Sequence, residues 1–307
     1  MDHGRWTDGR RRTALAGAAG VLGAVLALSG CGGTGGAASD TAAADSATGQ
    51  AVAAADGGTA PATAPAAAPG KADLASPKLK ETAMELVSSA ENSSLNWKSQ
   101  YAYLEDIHDD RGYTGGIIGF CSGTGDMLQL VQHYAQLHPG NVLAKYLPAL
   151  TAVNGSASHK GLDPGFTADW RTAASDPAFQ RAQDDERDQA YFDPAVNQAK
   201  ADGLNALGQF VYYDAMVMHG QGDDPQSFGG IRAAALQKAR TPAQGGDETA
   251  YLNAFLDARR AAMKADPTHQ ETSRVDTEQR AFLKAGNLAL SGPLTWTVHG
   301  DQYKIAG

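Results

Sequence analysis

Cysteine is almost absent from this chain: 307 residues contain two, Cys31 and Cys121. Two cysteines cannot build a disulfide framework, and Cys121 has no partner inside the folded part. It reads as a small buried hydrophobe, since a nucleophilic role needs a paired histidine that the sequence does not indicate. Metal-ligand spacing is missing too. His133, His138, His159, His219 and His269 are scattered, so neither a metal nor a cofactor is expected. No glycine-rich loop runs into a helix through Lys-Ser/Thr, which excludes a phosphate cradle. Positive charge is short, 25 Lys and Arg against 34 Asp and Glu for a net charge of −9. That excludes the basic stripe on which nucleic-acid binding depends. There is no internal repeat. The one long apolar run, Ala14 to Leu28, is too short and small-sided for a convincing membrane span.

What is present divides the chain into three parts. Residues 1–30 begin with Arg5, Arg10, Arg11 and Arg12 against Asp2 and Asp8, continue through the apolar run and end before Cys31. This is the pattern of an export signal with a small-residue cleavage region. Leu28-Ser29-Gly30-Cys31 resembles a bacterial lipoprotein box, making Cys31 the candidate for lipidation and membrane attachment. The alternative is ordinary cleavage nearby, with Cys31 incidental. The protein is therefore expected outside the bacterial cytoplasm, extracellular or lipid-anchored at the cell surface. Residues 31–76 are Ala, Gly, Thr, Ser and Pro with few large apolar side chains. They bury too little to offset chain entropy, so a disordered tether is expected. Residues 77–307 have the composition of a globular domain, long enough for one core or two lobes. Without residues 1–30, which carry four Arg and two Asp, the net charge falls to −11. An acidic cleft on such a surface steers a polycation.

The folded part reads as mainly helical with a small β element. Leu79, Ala83, Leu86, Val87 and Ala90 form one apolar stripe at helical spacing. Met127 to Leu137 predicts a second helix, stopped by Pro139-Gly140. Val142–Val153, Pro177–Tyr191, Ala195–His219 as the longest, and Gly246–Lys264 follow. Ile117 to Phe120 predicts a short apolar strand, and the alternation in Leu294–Val298 another. Residues 161–172, 220–230 and 267–276 read as loops.

Two carboxylates stand out. Glu91 falls in the last turn of the first helix, stopped by Asn92-Ser93-Ser94. Unpaired carbonyls and the negative end of the dipole there disfavour a carboxylate, as a proton donor needs. Asp109 lies in the glycine-rich loop Asp109-Asp110-Arg111-Gly112-Tyr113-Thr114-Gly115-Gly116. Arg111 and free backbone N–H groups favour its charged form. Two carboxyls pushed apart by their surroundings suit an acid and a base. Thr114 carries a hydroxyl able to orient a water. The bland reading is a helix-end Glu and a loop Asp without chemistry.

A third carboxylate is anomalous. The stripe Leu204, Leu207, Phe210, Val211, Asp214, Val217, Met218 places Asp214 on a buried face. A lone buried carboxylate is costly and needs a cation. Arg259 lies on the inward stripe Leu252, Phe255, Leu256, Arg259, Met263, and Arg274 is a further candidate. From the residues alone, a fold-specifying ion pair without catalytic role is an equal reading.

These residues also carry a resemblance. Met84 through Ser94, Glu105-Asp106-Ile107, Asp109 through Asp126, Tyr191 through Ala195, Met218-His219-Gly220, Ser227 through Arg232 and Thr241 through Thr249 closely resemble the chitosanases of glycoside hydrolase family 46. The likeness spans about residues 76–305. It implies a lysozyme-like fold of two mostly helical lobes around a cleft. It implies endo-acting, inverting hydrolysis of β-1,4-linked glucosamine polymers such as chitosan or partially acetylated oligomers. By the same resemblance Glu91 is the general acid, Asp109 the general base, and Thr114 helps place the water. Asp214, Arg259 and Arg274, with Arg111, support catalysis. Tyr103, Glu105 and Asp126 are candidates for substrate binding. A monomer is expected. A lysozyme-like peptidoglycan hydrolase and a surface lipoprotein that binds polysaccharide without cutting it remain the alternatives.

Overall fold

The computed structural model describes residues 71–266 and 270–307. The export signal, Cys31, most of the tether and His269 lie outside the described residues. Among the described residues no helix is long and apolar enough to cross a membrane.

Among the described residues ten α-helices and five strands follow in order. They are α1 (Pro77–Asn92), β1 (Leu104–Asp106), β2 (Tyr113–Gly115), β3 (Phe120–Cys121), α2 (Asp126–Leu137), α3 (Leu147–Val153), α4 (Phe166–Ala173), α5 (Pro177–Arg187), α6 (Asp193–Ala201), α7 (Ala206–His219), α8 (Phe228–Leu236), α9 (Glu248–Ala265), α10 (Arg280–Lys284), β4 (Leu294–Val298) and β5 (Asp301–Ile305). β1, β2 and β3 form an antiparallel sheet, and β4 and β5 a separate hairpin. The mainly helical class read from the sequence is the class observed.

Apolar side chains gather into two cores. One surrounds α7, in which every residue from Ala206 to Met216 is buried. A helix apolar on all sides must be enclosed. Residues from α1, α6, α8, α9 and β4 enclose it, with Leu86, Ala195, Ile231, Phe255 and Trp296 among them. The other core joins the three-stranded sheet to α2–α5. Its centre is aromatic: Trp170 meets Phe166 and Phe179 edge-on, with ring centroids 5.9 and 4.9 Å away. The π-helical segment Asp188–Phe192 runs between α5 and α6 and delivers Phe192 to the α7 core. Across the seam, Trp170 Nε1 and Gln183 Nε2 both donate to the Tyr101 carbonyl, at 3.1 and 3.2 Å.

Several sequence expectations change. The folded part begins before residue 77. Leu74 is fully buried and its N–H donates to Gln209 Oε1 at 2.8 Å, so residues 71–76 are not tether. The long helix expected over 195–219 is two, because the chain turns at Gly203 with φ +78. A Cβ at Gly203 would stand 2.9 Å from the Ala243 nitrogen, so glycine is required there. Among the described residues the longest α-helix is α9, with 18 residues. Residues expected as loop contain α4, whose Phe166, Trp170 and Ala173 form one buried stripe. Ile117 and Ile118 belong to a turn rather than a strand, framed by Gly116 and Gly119, both at φ +74.

Candidate active site

Glu91 is delivered by α1. Pro77 starts this helix and Ser93, in a left-handed conformation, ends it one residue after Asn92. Ala83, Leu86 and Ala90 anchor one face in the α7 core, so the carboxylate in the last turn is held by a packed helix. Glu91 Oε1 receives Arg274 Nη1 at 2.7 Å, and its side chain is 15% exposed. Nothing at the helix end signals this cation, because Arg274 is distant in sequence.

Asp109 is delivered by the β1–β2 loop. Asp106 Oδ1 accepts the His108 N–H at 2.8 Å and starts the turn. His108 and Asp110 take positive φ, 57 and 65, and Gly112 has φ +73. A Cβ at Gly112 would stand 2.4 Å from Ser122 Oγ, the atom that accepts the Tyr113 N–H at 2.9 Å. Asp109 Oδ1 accepts the Arg111 N–H at 3.2 Å, and Oδ2 accepts Arg111 Nε at 2.9 Å. Arg111 therefore serves Asp109 and stands apart from the Asp214 cluster with which the sequence reading grouped it.

Thr114 pairs in register with Glu105 on β1 and Cys121 on β3. It is fully buried, and its Oγ1 lies 3.4 Å from Cys121 Sγ. Burial pushes the Cys121 thiol up, consistent with a packing role. Asp126 opens α2. Its Oδ1 accepts the N–H groups of Cys121 and Met127, each at 2.9 Å, and the Thr124 hydroxyl at 2.6 Å. Burial pushes its carboxyl up against those hydrogen bonds. The contacts shown tie β3 to α2. The Tyr103 hydroxyl reaches Glu105 Oε2 at 3.4 Å.

Behind Glu91 lies a buried charge network. Asp214 Oδ1 accepts Arg274 Nη2 at 2.7 Å and Oδ2 accepts Arg259 Nη1 at 2.6 Å. Burial opposes the charge on Asp214, but Arg274 and Arg259 outweigh it and hold the carboxyl below its usual range. A continuous chain results: Glu91, Arg274, Asp214, Arg259. Sequence reading missed Gln279, which donates to Asp214 Oδ2 at 2.6 Å and accepts from Arg259 Nη1 at 3.1 Å. It also missed His219, whose Nε2 lies 3.4 Å from Arg259 Nε. Burial, then Arg259 and Arg274, push this imidazole down to about 3, so it is neutral. Gln279, Glu278 and Arg274 share the π-helical segment Arg274–Gln279. Its residue spacing departs from the 3.6 period on which the sequence reading relied.

The β4–β5 hairpin braces both elements. Trp296 Nε1 donates to Ser89 Oγ at 3.0 Å. His299 reaches Glu271 Oε2 through Nδ1 at 2.9 Å and the Ala90 carbonyl through Nε2 at 2.9 Å. Both partners accept only, so the ring satisfies both as imidazolium. The Glu271 hydrogen bond raises its pKa above the ordinary histidine value. Against burial, His299 and Ser273 lower Glu271 to about 2. A raised histidine pKa stabilises the fold fully below the unfolded value, about 6.5, and the contribution fades as pH rises through the folded value. The Glu271 share is present above its unfolded value of about 4.3 and is lost only near 2. His299→Gln is therefore expected to lower the melting temperature most between about pH 5 and 6, with the difference shrinking in alkali. Thermal unfolding of both proteins across pH checks this, and a pH-independent difference contradicts it.

A cavity of about 490 Å³ lies elsewhere, lined by Lys80, Glu81, Met84, Trp97, Tyr101 and Arg187 among others. None of Glu91, Asp109 or Thr114 lines it. Among the described residues no group of His, Cys, Asp and Glu is arranged to hold a metal ion.

The chain is similar to known proteins in sequence and in fold. The profile of glycosyl hydrolase family 46 matches residues 85–294. A chitosanase of Streptomyces sp. (strain N174) is 74% identical over 234 residues, covering 76% of this chain and 84% of that protein. The structure resembles a co-crystal structure of chitosanase OU01 with substrate, at TM-score 0.71 and 60% identity, covering 77% of this chain and 100% of that one. It also resembles the complex of a Gynuella sunshinyii chitosanase with chitotetraose, at TM-score 0.64 and 34% identity, covering 74% and 96%. With a profile match across most of the folded chain and relatives this similar, the chain belongs to glycosyl hydrolase family 46 and is a glycoside hydrolase.

Proposed function

We propose that this hydrolase cuts β-1,4 links within chitosan, with Glu91 as general acid and Asp109 as general base. One observation supports using these two carboxylates as the pair. The two partly exposed carboxylates are set on different cores, each against its own arginine: Glu91 on Arg274 and Asp109 on Arg111. Independent mounting lets one group give a proton to the leaving oxygen while the other takes one from an attacking water. That division of labour inverts the anomeric centre. Thr114 is the hydroxyl proposed to help place the water. Glu105 adds to the acidic surface that a cationic glucosamine polymer meets, and Tyr103 and Asp126 are the other residues proposed to bind substrate. That the related proteins are chitosanases supports the substrate class. The test offers the chain glucosamine oligomers and N-acetylated cell wall side by side. Release of shorter glucosamine oligomers is expected, and cutting of the cell wall alone would favour a peptidoglycan hydrolase.

We further propose export directed by residues 1–30, with Cys31 as a lipid attachment point. The support is the Arg-rich start, the apolar run and Leu28-Ser29-Gly30-Cys31. In detergent phase partition of the exported protein, Cys31→Ser is expected to move it to the aqueous phase. An unchanged partition would remove the lipid anchor.

A further inference from the structure

One buried acid has no role in the mechanism described so far. Glu278 is 1% exposed, and both its carboxyl oxygens lack a hydrogen-bond partner among the described residues. It lies four positions after Arg274 in the same π-helical segment. Arg274 has an unused group as well. Its Nη1 is on Glu91 and its Nη2 on Asp214, while its Nε is buried and unpartnered. A buried donor and a buried acid that each lack a partner are both costly.

Charge explains why the two stay apart in this state and what would join them. With Glu91 ionised, Glu91, Asp214, Arg259 and Arg274 sum to zero, and Glu278 fits only as a neutral acid. Its burial, with Asp214 adding and Arg274 and Arg259 opposing, pushes its carboxyl well above the ordinary range. With Glu91 protonated, as proton donation requires, two guanidiniums face one carboxylate. That leaves one positive charge in a site where Arg259 and Asp214 are 0% and 1% exposed, an expensive place for unbalanced charge. The other groups acting on the cluster add no net negative charge: burial pushes the Tyr213 phenol up, so it stays neutral, and the His299 imidazolium is balanced by its partner Glu271. His219 is neutral, and Gln279 is an amide.

We propose that Glu278 is a positioning residue that shares one proton with Glu91 across Arg274, becoming the carboxylate that takes the Arg274 Nε–H whenever Glu91 holds the proton. In this exchange one O–H bond breaks on Glu278 and one forms on Glu91, so the cluster stays neutral. After Glu91 gives its proton to the leaving oxygen, the cluster is one negative charge in excess. It recovers by taking a proton from solvent at the partly exposed Glu91. The inference rests on Glu91 as general acid.

Glu278→Gln keeps the shape and fixes the neutral state. Protonating Glu91 then leaves an uncompensated positive charge. The basic limb of the pH profile of kcat/KM is expected to move to lower pH by about one unit, as for strongly coupled sites. KM is expected not to rise, because Glu278 is buried away from the sugar. A profile that superimposes on the wild type overturns the proposal. If Glu278→Gln fails to fold, carbon-13 NMR of carboxyl-labelled glutamate in Glu91→Gln decides it. There residue 91 is permanently neutral, so the Glu278 signal near neutral pH is expected to be that of a carboxylate. A protonated acid overturns the proposal. Full activity of Glu91→Gln would remove the acid assignment itself. An inactive Glu91→Gln with an unmoved Glu278→Gln profile removes the shared proton alone.

Discussion

Glu91→Gln is expected to abolish chitosan turnover and leave the fold standing. The amide keeps the size of the side chain and its ability to accept from Arg274 Nη1, now 2.7 Å from Oε1. It has no proton to give. General acid catalysis is worth about 10² to 10⁴ in rate, so at least a hundredfold loss in kcat is expected. Oligomer binding should persist, because the acid acts at the leaving oxygen and not on the polymer as a whole. Reducing-end assays with circular dichroism check both halves. Activity within about tenfold of the wild type would be too small a loss for a proton donor and would remove Glu91 from that role.

The second large effect concerns stability. Asp214→Asn removes the carboxylate that stands between Arg259 and Arg274, whose side chains are 0% and 7% exposed. Arg259 keeps Gln279 Oε1 and a backbone oxygen, but its counter-charge is gone. Removing one partner of a buried pair costs about 3–5 kcal/mol, because the other charge is stranded. For a domain of this size that is a fall in melting temperature of roughly 6–20 °C. Urea unfolding at neutral pH measures it. Asp214 has a lowered pKa, so its contribution exists above the unfolded carboxylate value and is lost as pH falls through the folded one. The difference between the two proteins is therefore expected to shrink in acid. A cost below about 1 kcal/mol at neutral pH, the level of an exposed pair, would mean that the network is solvated in solution.

Where side chains alternate or recur with the helical period, the sequence was readable. The stripe ending at Ala90 placed Glu91 in the last turn of a packed helix. The stripe Leu252, Phe255, Leu256, Arg259, Met263 put an arginine inside, and Asp214 broke an apolar run from the facing helix. Leu294–Val298 alternated and is β4. What escaped reading has physical reasons. Residues 274–279 form a π-helix, so Glu278 and Gln279 followed no period that marks a buried face. Residues 161–172 read as a loop, although α4 starts at Phe166, directly after Pro164-Gly165. Gly203 ended a helix inside a continuous apolar pattern. The brace from His299 to the Ala90 carbonyl spans 209 positions. It joins a turn residue to a backbone atom, a contact that leaves no composition or spacing signal. The same holds for Arg274 on Glu91, the pairing that changes the electrostatic setting of the proposed acid.

In the proposed mechanism Asp109 activates a water on the face opposite the leaving group while Glu91 protonates the departing oxygen. Proton NMR of a glucosamine hexamer during the first turnovers by residues 71–307 tests it most directly. Inversion of a β-link predicts that the α-anomer appears first and equilibrates later. Initial β-anomer would mean retention, with a carboxylate acting as nucleophile, and would contradict the role given to Asp109.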